Sequence, residues 1–459
     1  MASIVKRKSK YAVVYTAPDE LGNKKQHWET FASMADAKKR KKAIEDLIEK
    51  GSFIVPTVKT LKELLDEYIS VYGINTWAAS TYEGNKGLID NYINPIIEKL
   101  PLTEINPRMM NKYYQDLLTI KVKMSANYSY KRNEYVSPET VRSIHKVLRS
   151  ALNQAVKWEL LDHNPVVNCV LPKREEKHRD IWDAGTLCKA IDLCKEPILA
   201  LSMNLAFSCS LRMGELLGLT WDCVDISEDS IRNNRAYIYV NKELQRISKN
   251  AMEALSGNDI IYRFPAIYPK NTTVLVLKPP KTKTSVRKIY LPKTVAEMLI
   301  ERKKEIDDLK EVFGEEYSDY DLVICSANGR PMEGSVITRM FQKLIRENGL
   351  PRVVFHSLRH TSTTYKLKLS GGDIKSVQGD TGHAQATMVT DRYAHIMDDD
   401  RRLNAERLEE AFYGGKSTKR EAPPPEDSSL SDESIELAKA IGNSPELMAL
   451  LKGLLKNNN

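Results

Sequence analysis

Cysteine is scarce, with six in 459 residues. Cys169, Cys188, Cys194, Cys209, Cys223 and Cys325 form no Cys-x-x-Cys pair and sit in apolar or helical stretches. This argues against a disulfide scaffold or a thiolate metal site and fits free thiols in a reducing compartment. Long apolar runs are missing too: none approaches the roughly 20 residues needed to cross a bilayer. The opening Met1-Ala2-Ser3-Ile4-Val5-Lys6-Arg7 has no apolar stretch after its basic residues. It does not read as a secretory signal, and a cytoplasmic protein is expected. There is no Gly-x-x-x-x-Gly-Lys-Ser/Thr loop for a nucleotide, no carboxylate cluster suited to a metal, and no internal repeat. No cofactor or metal is expected.

What is present suits a soluble multidomain protein. Hydrophobic residues make up 42% and charged residues 28% of the chain. At this length two to four domains are expected rather than one core. The formal net charge of +8 suits a polyanionic partner without proving one. Its distribution says more. Lys6, Arg7, Lys8 and Lys10 cluster, and Lys38-Lys39-Arg40-Lys41-Lys42 is an unbroken basic run, whereas acidic residues gather in 421–436.

Residues 10–16 and 26–31 are β-rich and flank the turn formers Pro18 and Gly22-Asn23. Ser33 can cap a helix running to Lys50, with Gly51 as its stop. Two or three strands and a helix are therefore expected. A sheet with basic residues nearby could enter a DNA groove. After a linker at 51–57, Thr60-x-x-Glu63 reads as a capping box, with Leu61, Leu64, Leu65 and Tyr68 at helical spacing. Further helices are expected over 80–97, from Pro107, and from Ser137-Pro138, where serine caps and proline takes the first helical position. On that last helix Val141, Ile144, Leu148, Leu152 and Ala155 form an apolar face. Arg142, Lys146, Arg149 and Lys157 form a basic face, either solvated or turned to DNA. Residues 121–135 read as a loop and 171–177 as a charged linker. Beyond it, helices are expected at 184–194, 198–207, 294–312 and 334–347, and strands at 236–240, 274–277 and 287–291. The segment 241–271 has no clear pattern. After Gly414-Gly415 the chain turns Pro-, Ser- and Asp/Glu-rich and reads as flexible, with a short amphipathic helix candidate at 445–456.

The chemistry lies in the part of the chain from Ser210 onward. Ser210-Leu211-Arg212-Met213-Gly214-Glu215-Leu216 is followed by His356-Ser357-Leu358-Arg359-His360-Thr361, then Thr381-Gly382-His383, then Asp391-Arg392-Tyr393-Ala394-His395. Singly, each has an ordinary reading: a salt bridge at a helix start, a surface pair, a turn, a packed tyrosine. Together they supply what a phosphodiester reaction needs. Two guanidinium forks stay protonated and match phosphate oxygens bidentately. Histidines can accept or donate a proton, and a tyrosine can attack phosphorus.

In this order the motifs resemble those of the tyrosine recombinase (phage integrase) family, above all integrases of phages and conjugative transposons. The resemblance rests on motifs over about 181–413 and on layout alone before that. Leu211-Arg212-x-Gly214-Glu215-Leu216 with Leu219-Thr220-Trp221-x-x-Val224-Asp225 resembles the first box. His356-x-Leu358-Arg359-His360-Thr361, Thr381-Gly382-His383 and Thr390-x-x-Tyr393-x-His395 resemble the later ones. The family also uses a lysine on a β-hairpin. Pro279-Pro280-Lys281-Thr282-Lys283-Thr284-Ser285-Val286-Arg287 resembles that turn, with Lys283 preferred over Lys281 as nearer the following strand. Two positions depart from the family: Ser208-Cys209-Ser210 stands where Thr-Gly is common, and Thr381 where leucine is. The stretch 241–271 is also longer than a minimal hairpin connection, which leaves the pairing around Lys283 open.

The resemblance implies a site-specific recombinase with a small α+β N-terminal domain that binds arm-type DNA (1–52). An all-α core-binding domain (58–170), a mainly α catalytic domain with a small antiparallel sheet (178–413) and a flexible tail (414–459) follow. It implies Tyr393 as nucleophile, Arg212 and Arg359 as phosphate clamps, His356 as proton acceptor, Lys283 as general acid and His383 as donor to a non-bridging oxygen. A 3′-phosphotyrosyl intermediate retains the phosphodiester energy, so rejoining needs no ATP or metal. Implied partners are duplex DNA at core and arm sites, a homotetramer on that DNA, and an excisionase or host DNA-bending protein. Segment 401–413 is expected to pack on a neighbouring subunit. The alternatives are a non-catalytic DNA-binding regulator keeping the fold, in which Tyr393→Phe changes nothing, a relaxing topoisomerase without site preference, and a chromosome-dimer resolvase. The N-terminal unit argues against the last two.

Overall fold

The computed structural model describes residues 2–7, 10–18, 24–49, 58–123, 134–173, 181–257, 259–266, 268, 270–371 and 373–382. The expected contributions of 401–413 and 445–456 lie outside these residues. The N-terminal unit is an antiparallel sheet, β1 (Ser3–Arg7), β2 (Lys10–Pro18) and β3 (Lys24–Phe31) in that order, with helix α1 (Met34–Glu49) against it. Val13 and Tyr15 from β2 meet Ala37 and Ile44 from α1 in a small core. The Ser33 hydroxyl accepts from the Ala35 amide at 3.0 Å, so α1 is capped as the sequence suggests. One member of the basic run has a partner within the unit: Arg40 pairs with Glu29 at 2.7 Å.

A helical layer follows, comprising α2 (Leu61–Glu67), α3 (Ile74–Thr76), α4 (Ala79–Leu88), α5 (Asn94–Ile97), α6 (Pro107–Leu117) and α7 (Pro138–Lys157). The expected capping box forms, with Glu63 accepting from the Thr60 amide at 2.9 Å and Thr60 Oγ1 accepting from the Glu63 amide at 3.3 Å. The helix expected over 80–97 is interrupted by a π-helical turn, Ile89–Ile93, as is the first at Tyr68–Gly73. Leu61, Leu64 and Leu65 meet Met110 and Leu117 and the whole apolar face of α7, Val141 to Ala155. On the opposite face of α7, Lys146, Arg149 and Lys157 are exposed. Arg142 instead donates from Nη2 to the Pro172 carbonyl at 2.8 Å, tying α7 to the chain that leaves the helical layer.

The third region contains α8 (Ala184–Asp192), α9 (Pro197–Ser208), α10 (Met213–Leu217), β4 (Val224–Asp225), α11 (Glu228–Arg232), β5 (Tyr237–Val240), β6 (Glu243–Ser248), α12 (Lys249–Ala254), β7 (Tyr262–Arg263), β8 (Thr273–Lys278), β9 (Arg287–Tyr290), α13 (Lys293–Phe313), α14 (Gly334–Glu347), α15 (Ser357–Leu369) and α16 (Ile374–Thr381). Its core joins Leu199, Leu205, Leu216, Ile238, Ile289, Leu299, Ile324, Phe341 and Leu358. In this region two small sheets form among the described residues, β4-β5-β9 and β6-β8-β7, where one was expected.

The unpatterned stretch 241–271 supplies β6, α12 and β7. It therefore changes the expected hairpin. β8 pairs with β6 up to Glu243↔Lys278, and β9 pairs with β5 from Val240↔Arg287. Two residues, 241–242, thus face an excursion of eight, 279–286. Lys281 and Lys283 sit on that excursion, not at the tip of a simple two-stranded hairpin. The added sheet buries Ile247, Val274 and Val276 against Met252, Ile260 and Ala79 of the helical layer. That apolar surface explains why the stretch is ordered.

Candidate active site

Glu215 is the centre of the constellation. It lies three residues into the turn that opens at Arg212, the spacing at which a carboxylate reaches back to the capping amide. Its Oε2 accepts from the Arg212 amide at 3.0 Å, and its Oε1 accepts from Arg212 Nη1 at 2.6 Å. Arg287 Nη2 donates to the same carboxylate at 3.1 Å, and Arg359 Nη1 lies 3.9 Å away. The Glu215 side chain is 1% exposed. Burial pushes its pKa up, but Arg287 and Arg212 outweigh burial and hold it below the usual carboxylate range.

The arginines differ in access. Arg212 is 36% exposed and also donates to Ser285 Oγ at 3.1 Å and to the Gly382 carbonyl at 3.2 Å. Arg359 is 2% exposed. Its Nη1 donates to the Ser210 carbonyl and its Nη2 to the Thr381 carbonyl at 2.5 Å. Both carbonyls brace the guanidinium plane.

His356 directly precedes α15, one turn before Arg359, and is exposed. Its ring meets His360 edge-on, with centroids 4.8 Å apart. Lys283 opens a short 3-10 turn, Lys283–Ser285, and is exposed, as is Lys281. That turn is docked on the arginines through Ser285. The structure therefore brings together Arg212, Arg359, the lysine turn and the end of α16. His383 and Tyr393 lie outside the described residues.

Both departures from the family pattern have local explanations. Ser210 holds φ +51°, a conformation that favours glycine, and its buried hydroxyl is 2.6 Å from that of Ser362. The pair of hydroxyls offsets the backbone cost, and the Ser210 carbonyl is thereby aimed at Arg359. Thr381 is fully buried, and its hydroxyl donates to the Val377 carbonyl at 2.8 Å within its own helix. Gly382 caps α16 with φ +62°. A Cβ there would sit 3.1 Å from both Thr284 O and Arg287 Nη1. Gly382→Ala is expected to cost about 1–2 kcal/mol from the left-handed backbone alone, read as a lower melting temperature, and to slow any reaction that uses the lysine turn.

Glu215 and Arg287 were both in view in the sequence without a role. The Arg-x-x-Glu spacing was the available signal for Glu215. Arg287 lies in phase with Ile289, the other inward residue of β9, and with Leu291 just after it, which marks a charge that must be buried and paired. Ser285 and the Asp380 carbonyl carried no sequence signal.

Among the described residues, no group of three or more His, Cys, Asp or Glu side chains could hold a metal ion, and no helix is long and apolar enough to cross a membrane. Comparison with known proteins bears on the family and the fold. Residues 264–400 match the phage integrase family, and residues 60–118 match the phage integrase N-terminal SAM-like domain. The chain is 25% identical over 343 residues to a tyrosine recombinase XerC-like protein of Caldanaerobacter subterraneus subsp. tengcongensis, covering 72% of this chain and 78% of that protein. It is 20% identical over 331 residues to the ICEBs1 integrase of Bacillus subtilis strain 168, covering 72% and 77%. The fold superposes on the Tn1549 transposon integrase, solved with a circular intermediate DNA, with a TM-score of 0.57 at 18% identity, covering 76% of this chain and 100% of that one. The chain belongs to the phage integrase family: it is a tyrosine recombinase, an enzyme that breaks and rejoins DNA.

Proposed function

We propose that this recombinase integrates and excises a mobile element at specific DNA sites. The supporting observation is that Arg212 and Arg359 gather at one buried carboxylate, with the lysine turn docked on Arg212 through Ser285. A phosphodiester carries negative charge that grows on its non-bridging oxygens as it is attacked. Cations fixed beforehand stabilise that charge without reorganising. Arg212 and Arg359 clamp the phosphate, and His383 donates to a non-bridging oxygen. The Tyr393 oxygen attacks phosphorus while its proton passes to His356. The bond from phosphorus to the 5′ oxygen breaks, and Lys283 protonates the leaving hydroxyl. The product is a 3′-phosphotyrosyl ester, which the 5′-hydroxyl of a second strand can attack in turn.

The wider surfaces fit duplex DNA. Lys146, Arg149 and Lys157 line one side of α7, where phosphate contacts would make binding steeply salt-dependent. On the N-terminal sheet Lys24 and Lys25 are exposed, and Arg7 lies over the half-exposed Trp28 ring at 4.6 Å. These residues are assigned to arm-type sites and α7 to the core site. Exchange of four strands requires four protomers on two core sites, with an excisionase or DNA-bending protein setting direction. The test is to trap the protein on a nicked core site, digest it, and sequence the DNA-bearing peptide by mass spectrometry. The nucleotide adduct is expected on Tyr393. An adduct on another residue, or none, overturns the reading.

A further inference from the structure

We propose that Arg287 is a positioning residue of this active site: it locks the turn bearing Lys281 and Lys283 onto the Arg212 platform, and so sets where the general acid meets the leaving 5′ oxygen. The inference rests on the proposed cleavage reaction. Arg287 is the first residue after the eight-residue excursion between β8 and β9, where the chain rejoins a sheet. Its side chain is 6% exposed. It is thus placed to act through other groups rather than to meet DNA directly.

Its three nitrogens serve three different segments. Nη1 donates to the Ser285 carbonyl at 2.8 Å, inside the lysine turn. Nη2 donates to Glu215 at 3.1 Å, the carboxylate that also holds Arg212. Nε donates to the Asp380 carbonyl at 2.8 Å, near the end of α16. Its Cδ and Nη1 lie against Gly382, so the turn, the fork and the glycine are packed as one block. The turn has a second tie, Ser285 Oγ to Arg212, and Ser285 Oγ is also 2.9 Å from Thr282 Oγ1. A lysine has three donors on one point and cannot span these acceptors, so the fork itself is required.

A general acid matters only when the leaving group needs a proton. An alkoxide does, whereas a thiolate leaves without one. Full-length chain should therefore be tested in single-turnover cleavage of two nicked core-site duplexes. One carries the natural 5′ bridging oxygen at the scissile phosphate and the other carries sulfur there. On the oxygen substrate Arg287→Gln is expected to slow covalent-complex formation on the order of 100-fold, with single-site binding in gel shifts within about threefold. On the sulfur substrate its rate should return to within about fivefold of wild type, as expected for loss of the general acid alone. Arg287→Lys keeps the charge beside Glu215 and should behave alike. It is the variant to use if Arg287→Gln melts below the assay temperature. Lys281→Ala and Lys283→Ala run in parallel, and the one rescued by sulfur is the acid. An Arg287 variant equally slow on both substrates overturns the proposal. A wild-type protein that forms no Tyr393-dependent complex on either substrate overturns the cleavage reading beneath it.

Discussion

Tyr393→Phe is expected to abolish covalent attachment to DNA, by on the order of 10⁴-fold or more, while single-site binding stays within about threefold of wild type. The substitution removes one oxygen and little else. Phenylalanine keeps the ring but offers no nucleophile, and water from bulk lacks the advantage of a nucleophile tethered to the protein. Binding should persist because the groups proposed to hold the phosphate and the duplex are elsewhere: Arg212, Arg359 and the exposed basic side of α7. A denaturing gel reads the covalent species, and a native gel reads binding. Undiminished covalent product in the Phe variant would show that another group attacks. A variant with every recombination activity intact would favour the non-catalytic regulator.

The second large effect concerns stability. Glu215→Gln should lower folding free energy by about 3–5 kcal/mol, because breaking a buried pair leaves its partners uncompensated. Arg287 and Arg359 are 6% and 2% exposed, so neither can turn to water when the carboxylate is lost. The melting transition of the catalytic region should fall on the order of 10 °C. Cleavage should fall with it even below the transition, since glutamine has no charge and keeps only one of the two oxygens that Arg212 and Arg287 share. The pH dependence follows from the depressed Glu215 pKa. A carboxyl with a lowered folded pKa contributes fully above its unfolded value of about 4.3. That contribution is lost as pH falls towards the folded pKa. The gap in melting temperature between wild type and Glu215→Gln should therefore be widest near neutral pH and narrow below about pH 4. A gap that is constant from pH 7 to pH 3 would mean that Glu215 charge is not what holds the arginines.

Much of this architecture could be read from local patterns. The capping box at Thr60 and Glu63, the Ser137-Pro138 helix start and the apolar face from Val141 to Ala155 are short-range signals, and each appears where it was expected. Residues 241–271 gave no such signal. Their strands are short, and their partner β8 begins only at Thr273, so the pairing is a long-range fact. Arg142 looked like one member of a basic stripe until the fold placed the Pro172 carbonyl against it.

Residue types and their order along the chain were enough to name the chemistry, because a phosphodiester demands fixed cations, a nucleophile and proton carriers whatever fold holds them. Which charges are buried, and against what, was decided only by tertiary structure. Glu215, Arg287, Ser285 and Asp380 come from separate segments, and a low-dielectric centre where one carboxylate gathers three guanidiniums exists only once those segments are packed together.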